Sequence, residues 1–381
     1  MLAVYLIREV SIMPHLHVIQ ALHGDCLLLE YGDPPHYLLI DGGPQTVYAN
    51  DLRPKLAEIA ANGGRLHGVI LTHPDNDHVE GLVDFFTDLW MQKASMEPPL
   101  IAVEAVWMNS FRFDAEALSL QAIFLPTLPP DLSDATAEPM PLEGVQEVLS
   151  LRALVEHLGI PVNPGFQGGL VAQDTKPATA PFAGVTLELL GPTTAQLKRL
   201  EKEWDKWFAR REETGLPLPA AMPTPAAAVK PDSDASIPNR SSILLLATVA
   251  GKRILLTGDG RGKDVIAGMT RAGLMVKGGS CHVDVMKVPH HGSARNTSPD
   301  FFRRITADVY VLCADGKNDN PDYQALEWLV TALKEQGRRA TLAATTLTAS
   351  LVQLQAHYPP AQWGYTLTVL DAGRHALTVS L

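Results

Sequence analysis

Residues 73–78, His-Pro-Asp-Asn-Asp-His, place two imidazoles and two carboxylates within six positions. The apolar run before them, residues 66–72 (LHGVILT), has the composition of a buried strand, so His73, Asp75, Asp77 and His78 fall on the loop leaving its C-terminal end. Strand ends are where chemistry collects in layered α/β proteins. Ligand-type residues alternating within one turn can converge on a single point. Imidazole with carboxylate is a borderline-to-hard donor set, suited to Zn, Mn or Fe rather than to a thiolate metal. The plainer alternative is a polar loop in which Asp77 caps a helical segment starting at Val79.

Two later segments favour the metal. Residues 253–260 (RILLTGDG) are a second apolar strand that delivers Asp259 to its tip between two glycines, where the backbone can approach an ion closely. Residues 283–293 (VDVMKVPHHGS) repeat the design and end in His290 and His291. Three strand tips bearing ligand-type residues, with no comparable cluster elsewhere among 13 histidines, define a metal site. Ser293 has no base–acid pair around it in the sequence, so a glycine–serine turn after a ligand accounts for it better than a nucleophile does.

With these segments in view, the chain resembles a metallo-β-lactamase-fold hydrolase, and more narrowly is similar to the soluble C-terminal domain of ComEC/Rec2 competence proteins. The resemblance rests on residues 21–26 (ALHGDC), 39–43 (LIDGG), THPDNDH, 239–242 (NRSS) leading into LLTGD, KVPHHGS and 297–301 (TSPDF), in the family's order. It covers most of the chain apart from the middle. It implies a family pattern in which the first two histidines of HxHxDH serve one metal and the aspartate and last histidine serve the other. His73, Asp77 and His78 match that pattern, and Asp75 stands where the second histidine would, making the site harder and more favourable to Mn or Mg. Asp259 matches the carboxylate that bridges the metals. One of His290 and His291 matches a ligand, leaving the other to protonate a leaving group. Asp41 matches the family's early aspartate, which supports the ligand loop from behind.

Two departures stand out. The middle-motif histidine that completes the first metal has no counterpart, since between His78 and Asp259 the only histidine is His157, in a run with helical spacing. Near the end, where relatives often carry another histidine, this chain has Asn318-Asp319-Asn320-Pro321-Asp322. The expected cofactor is therefore a divalent metal, Zn or Mn, as one or two ions, with one tight site and one completed by substrate.

The mechanism expected from these residues is hydrolysis by metal-activated water, with Asp77 holding or deprotonating the water and His291 or its neighbour handling a proton. The leading expectation is a phosphodiesterase, and within that class a nuclease acting on single-stranded or flexible DNA or RNA. Two alternatives stay open: a small-molecule ester, lactone or phosphocholine-type hydrolase, and a catalytically degenerate binding module. The expected partner is thus a nucleic acid or a phosphodiester small molecule. A formal charge of −11 over 381 residues argues against a broad nucleic-acid-binding face but leaves room for a local basic groove. Cys26, Cys281 and Cys313 lie in or beside apolar strands without CxxC spacing, which reads as core cysteines in a reducing, cytoplasmic setting. Residues 1–10 are apolar but too short to span a membrane and are interrupted by Arg8-Glu9, and nothing else approaches a transmembrane helix.

The elements that must position these residues are short β-rich runs at 15–20, 25–31 and 36–41, a helical run at 51–61, the strand LHGVILT, a helix over 79–90 and a strand over 101–107. The second half predicts a hairpin of 241–250 and 253–257, a helix over 261–272, two further αβ units, and a closing hairpin of 364–370 with 375–381. Strands and helices in two similar halves imply an α/β fold, a four-layer αββα metallo-β-lactamase sandwich with an inserted, partly irregular middle segment. Residues 1–12 read as an N-terminal extension, with Met13 as an alternative start, and 13–381 as the sandwich domain with its insertion at about 109–234. Within the insertion, 126–141 reads as a proline-rich loop and 142–158 as a helix. Residues 193–211 predict a charged helix. Its Lys198, Arg199, Lys202, Lys206, Arg210 and Arg211 could clamp phosphates with Trp204, Trp207 and Phe208 stacking. The preferred reading has the aromatics in the core and the charges in solvent. Residues 214–234 lack periodicity and read as a flexible loop near the site entrance.

Overall fold

Leucine-rich runs such as 27–31 (LLLEY) and 244–249 (LLLATV) carry apolar residues at consecutive positions, the pattern of strands covered on both faces. The computed structural model, which describes residues 13–111, 144–175, 182–214 and 230–381, gives each such run two different neighbours. In β2 (Leu27–Tyr31), Leu27, Leu29 and Tyr31 point into an interior shared with the other sheet, while Leu28 faces the helices. In β8 (Lys252–Leu256), Ile254 and Leu256 point to that same interior and Leu255 to the opposite helical layer.

The first half of the chain runs β1 (His15–Ile19), β2, β3 (His36–Ile40), α1 (Gln45–Val47), α2 (Arg53–Ala61), β4 (Leu66–Ile70), α3 (Asn76–Ala94) and β5 (Val106–Trp107). There follow α4 (Val145–Leu158), β6 (Thr186–Gly191), α5 (Thr194–Thr214), β7 (Leu244–Val249) and β8. The remainder is α6 (Gly262–Arg271), β9 (Cys281–Lys287), α7 (Pro299–Arg304), β10 (Ile305–Leu312), α8 (Tyr323–Glu335) and β11 (Ala340–Ala344). It closes with α9 (Ala349–His357), α10 (Pro360–Trp363), β12 (Tyr365–Val369) and β13 (Ala376–Ser380). One sheet has the order β13-β1-β2-β3-β4-β5 and the other β12-β11-β10-β9-β8-β7-β6. The sheets face each other across one core, and helices cover both outer faces, giving the mixed α/β sandwich expected from the sequence.

This topology brings the chemistry to one edge. Strands β3 and β4 are parallel, as are β8, β9 and β10, so the residues after Ile40, Ile70, Leu256 and Lys287 all leave at C-terminal ends. Antiparallel β2 starts there too, opposite Ile40, which places Asp25 beside Asp41. The tips are held close by glycines. A Cβ on Gly81 would lie 2.0 Å from the carbonyl oxygen of Gly42, and one on Gly24 would lie 1.9 Å from that of Asp77.

Several expectations need correction. The last two strands do not form a hairpin: β12 pairs in parallel with β11, whereas β13 crosses to the other sheet and pairs antiparallel with β1. Dividing the two strands covers the backbone edges of both β1 and β11 and makes β13 and β12 the terminal strands of the two sheets. The helix after THPDNDH begins at Asn76 rather than Val79. Asp75 is its N-cap residue but makes no side-chain cap bond, so neither Asp75 nor Asp77 is committed to capping. The strand expected over 101–107 is reduced to β5 and a single bridge at Val103. The N-terminal extension at 1–12 and the loop at 126–141 lie outside the described residues, as does most of the 214–234 loop; its described end makes defined contacts through Asp232 and Asp234. In α5, Trp204 and Trp207 are buried, so they belong to the core.

Because the Gly81 contact is backbone on both sides, it cannot be relieved by a rotamer change. Gly81→Ala is expected to lower the free energy of unfolding by about 2 kcal/mol, read as a lower urea midpoint with an unchanged slope.

Candidate metal centre

Three histidines are held by the same device. The Nδ1 of His78 lies 2.9 Å from Asp41 Oδ2, an acceptor only, so that nitrogen carries the proton. His291 Nδ1 lies 2.9 Å from the carbonyl oxygen of Cys313, with the same consequence. The Thr72 hydroxyl donates to Asp41 Oδ2 at 2.7 Å and must therefore accept from His73 Nδ1 at 3.0 Å. In each case Nε2 is left with its lone pair free. All three Nε2 atoms are buried and have no hydrogen-bond partner among the described residues. Buried nitrogens left unpaired are costly, and imidazoles oriented through their other nitrogen are how proteins prepare metal ligands.

The three nitrogens converge on Asp259. Its Oδ1 is 3.5 Å from His78 Nε2, and its Oδ2 is 3.3 Å from His291 Nε2 and 3.9 Å from His73 Nε2. Asp77 reaches His291 Nε2 at 3.4 Å and His78 Nε2 at 3.8 Å. Ligand atoms of His73, His78 and Asp259 form one compact group that could hold an ion, and those of Asp77, His78 and His291 form another. Asp75 approaches His73 Nε2 at 3.5 Å from a more exposed position and joins neither group. Asp41 sits behind the site, accepting from Thr72 N, the Thr72 hydroxyl and His78.

The consecutive histidines take different places. Both have left-handed backbones, φ 46° at His290 and 54° at His291, a conformation costing about 1–2 kcal/mol per residue. The bend buries His291 and leaves His290 on the rim, its Nε2 3.5 Å from Asp259 Oδ2 and its Nδ1 2.9 Å from Asn296 Oδ1. Ser293 lies in the turn that follows, its backbone N–H donating to His290 O at 2.8 Å. The segment expected to lack a histidine buttresses this turn: Asp322 Oδ2 accepts from Ala294 N at 2.7 Å. His157 lies on α4, exposed and bonded to the Ala153 carbonyl, and takes no part.

Sequence reasoning did not assign roles to three charged residues here. Lys287 is fully buried; its ammonium pairs with Asp25, donates to Gly258 O at 2.9 Å and lies 3.5 Å from Asp259 Oδ1. It follows Val285 by two residues on β9, hence on the strand face that looks toward the other sheet. Asp25 in turn reaches His291 Nδ1 at 3.3 Å. Asp234 accepts from Asn239 and Asn296, both at 2.8 Å, and approaches His290 Nδ1 at 3.7 Å. A charged residue at a strand tip beside an apolar run was the available signal for Asp25 and Lys287. None marked Asp234.

These acids set the electrostatics. Burial opposes ionisation of Asp25, but Lys287 and His291 hold it down to about 2; burial likewise opposes Asp259, which His291, His290 and His78 keep well below the usual carboxylate range. Conversely, burial disfavours the imidazolium of His78 and His291, yet Asp259 with Asp77 raises the first and Asp259 with Asp25 the second well above the ordinary value. Lys287 is the fully buried ammonium among these acids, so the remaining negative charge calls for protons on the histidines or for a bound cation.

Residues 20–162, a stretch that contains THPDNDH, match the family model of the metallo-beta-lactamase superfamily. Its members are generally hydrolytic metalloenzymes that bind divalent metals, and the two-sheet architecture is that of their sandwich fold. No match was found among the curated proteins. Among solved structures, the metallo-beta-lactamase fold protein YhfI from Bacillus subtilis aligns over 97% of this chain and 100% of its own, at 11% identity and a TM-score of 0.39. Among the described residues no helix is long and apolar enough to cross a membrane.

Two measurements follow from this electrostatic arrangement. The raised histidines contribute stability that is complete below their unfolded pKa and is lost as pH rises through the folded one. The depressed aspartates contribute stability that is lost as pH falls toward about 2. Metal-free protein is therefore expected to be most stable between about pH 4 and pH 6.5 and to melt progressively lower above that. Saturating Zn or Mn should remove the alkaline decline, because the ion replaces the protons. Separately, Lys287→Met strands Asp25 in the interior and should cost about 3–5 kcal/mol in equilibrium unfolding.

Proposed function

We propose that this protein is a metal-dependent phosphodiesterase that hydrolyses nucleic-acid strands. The observation that carries the metal is the convergence of three buried, unpartnered Nε2 atoms on Asp259. His73 and Asp259, with Asp75 at the rim, would hold one ion; Asp77, His78, His291 and the same Asp259 would hold a second. Carboxylates supply Asp75, Asp77 and Asp259 to this set, and oxygen-rich donors suit the hard ions used on phosphates. The nuclease reading draws further on the likeness of THPDNDH, TGD and KVPHHGS to the competence-protein domain. When bound, a divalent metal supplies Lewis acidity, polarising a phosphoryl oxygen and making water acidic enough to ionise near neutral pH.

The chain's own residues do the rest. Asp77, partly exposed and close to His291, orients the attacking water and takes its proton. The water oxygen bonds to phosphorus as the bond from phosphorus to the leaving oxygen breaks. His290, on the rim, delivers the proton that the leaving oxygen needs. Its Nδ1 is fixed by Asn296 and lies near Asp234, which leaves Nε2 beside Asp259. Burial works against its charged form, but Asp259 and Asp234 outweigh that and raise its pKa above the ordinary histidine value. The products are a phosphomonoester and an alcohol.

In assays with Mn or Zn, Asp77→Asn should lower kcat/KM on single-stranded DNA by about 10²–10⁴. His290→Gln should act selectively. A nucleoside leaving group needs a proton and nitrophenolate does not, so the oligonucleotide rate should fall at least about tenfold more than that of bis-p-nitrophenyl phosphate. Absence of metal-dependent turnover on every phosphodiester tested would overturn this reading.

A further inference from the structure

A basic cleft lies on the same edge of the sandwich as the metal centre. β6 ends at Gly191 opposite Leu244, the first residue of β7, and β7 is antiparallel to β8, whose C-terminal end leads to Asp259. α5 therefore begins at the chemical edge. The turn that precedes β7, Asn239–Ser241, packs against it. Asn239 Nδ2 lies 3.2 Å from His290 Nδ1, and Ser242 Oγ accepts from the backbone N–H of Asp259 at 3.2 Å, so this turn touches the metal centre on both sides of Arg240.

Arg240 itself lines a cleft together with Gln196, Arg199, Ile237 and Ser241. Its Nε is buried without a hydrogen-bond partner among the described residues. The two acids near it are already engaged: Asp264 takes both ends of Arg261, at 2.7 and 3.1 Å, and Asp234 is held by Asn239 and Asn296. Burial, with the like charges of Arg261 and Arg199, disfavours its guanidinium. Arg199 and Lys202 are exposed on neighbouring turns of α5, one face of a helix whose other face is buried through Leu197, Leu200 and Trp204. Arg240 thus sits among like charges while the neighbouring acids are engaged by other groups, an arrangement that suits an anion bringing its own charge. The cleft holds only about 10 Å³, room for a phosphate oxygen and not for a base.

We propose that Arg240 and Arg199 form a phosphate-binding subsite that takes a phosphate of the substrate other than the one being cleaved. The inference rests on the phosphodiesterase reading for its place in the reaction, but binding tests it independently of turnover. Guanidinium forks match phosphate geometry, and one fixed next to His290 would set how far a strand extends past the scissile bond. Two sources share this chemistry, a nucleic-acid strand and a small phosphorylated molecule.

The test is fluorescence anisotropy with a labelled single-stranded pentanucleotide at several NaCl concentrations in EDTA, and competition by a nucleoside monophosphate. Arg240→Gln is expected to weaken the pentanucleotide about tenfold, the loss of one charge-assisted contact. It should also make the log–log salt slope shallower by about 0.7, the release of roughly one phosphate contact. Arg240→Lys should retain the slope while losing part of the affinity. Competition by the monophosphate that disappears in Arg240→Gln would assign a small phosphorylated ligand; its absence from the start would assign the strand. Arg199→Gln, at an exposed position, serves as the second variant should Arg240→Gln melt early. Unchanged affinity and slope in both glutamine variants would overturn the subsite. If wild type cleaves no phosphodiester but the variants still lose affinity and slope, the subsite stands and the phosphodiesterase reading falls.

Discussion

The carboxylate of Asp259, buried at the seam between the two sheets, is the charge to which its surroundings answer. A lone buried carboxylate costs several kcal/mol, and this one is accompanied by Asp25, Asp41 and Asp77. Lys287 offsets part of that charge by linking Asp259 to Asp25 across the sheets. What remains is offered to three imidazoles whose free nitrogens face inward. The centre is therefore balanced only with protons or a divalent cation in place, and the same imbalance that makes it sensitive to pH without metal makes it a metal site.

Holding like charges together requires a rigid frame, and the frame is the parallel arrangement at the strand ends. β3, β4, β8 and β9 all release their loops on one side, and glycines at 24, 42 and 81 let those loops approach to backbone contact. Strain is accepted in and beside the site: Asp41, His290 and His291 all have left-handed backbones. In the His290–His291 pair that strain separates two identical side chains into a buried one among carboxylates and a rim one beside Asp234. This division is what gives the two imidazoles different chemistry.

Much of this was legible because it is local. An apolar run followed within a few residues by His73, Asp75, Asp77 and His78 states both the strand and what its tip carries, and the same holds for Asp259 and for His290–His291. Resemblance added the backing role of Asp41. The closing hairpin misled because 364–370 and 375–381 have the periodicity and the turn of a hairpin, whereas the choice between pairing with each other and adding to two separate sheets depends on which strands offer a free edge in the folded sheets. Asp234 sat in a stretch without periodicity, and only its contacts with Asn239, Asn296 and His290 distinguish it.

The sequence by itself therefore determined the layered α/β class, the strand tips and the ligand types, since hydrophobic period and side-chain chemistry act over a few residues. The tertiary structure alone decided which of His290 and His291 is buried, that Lys287 meets Asp25, and that Arg240 has neighbours of its own charge. Those outcomes follow from strand order and from the register of one sheet against the other, and such distances between segments far apart in the chain are set only when the core between them packs.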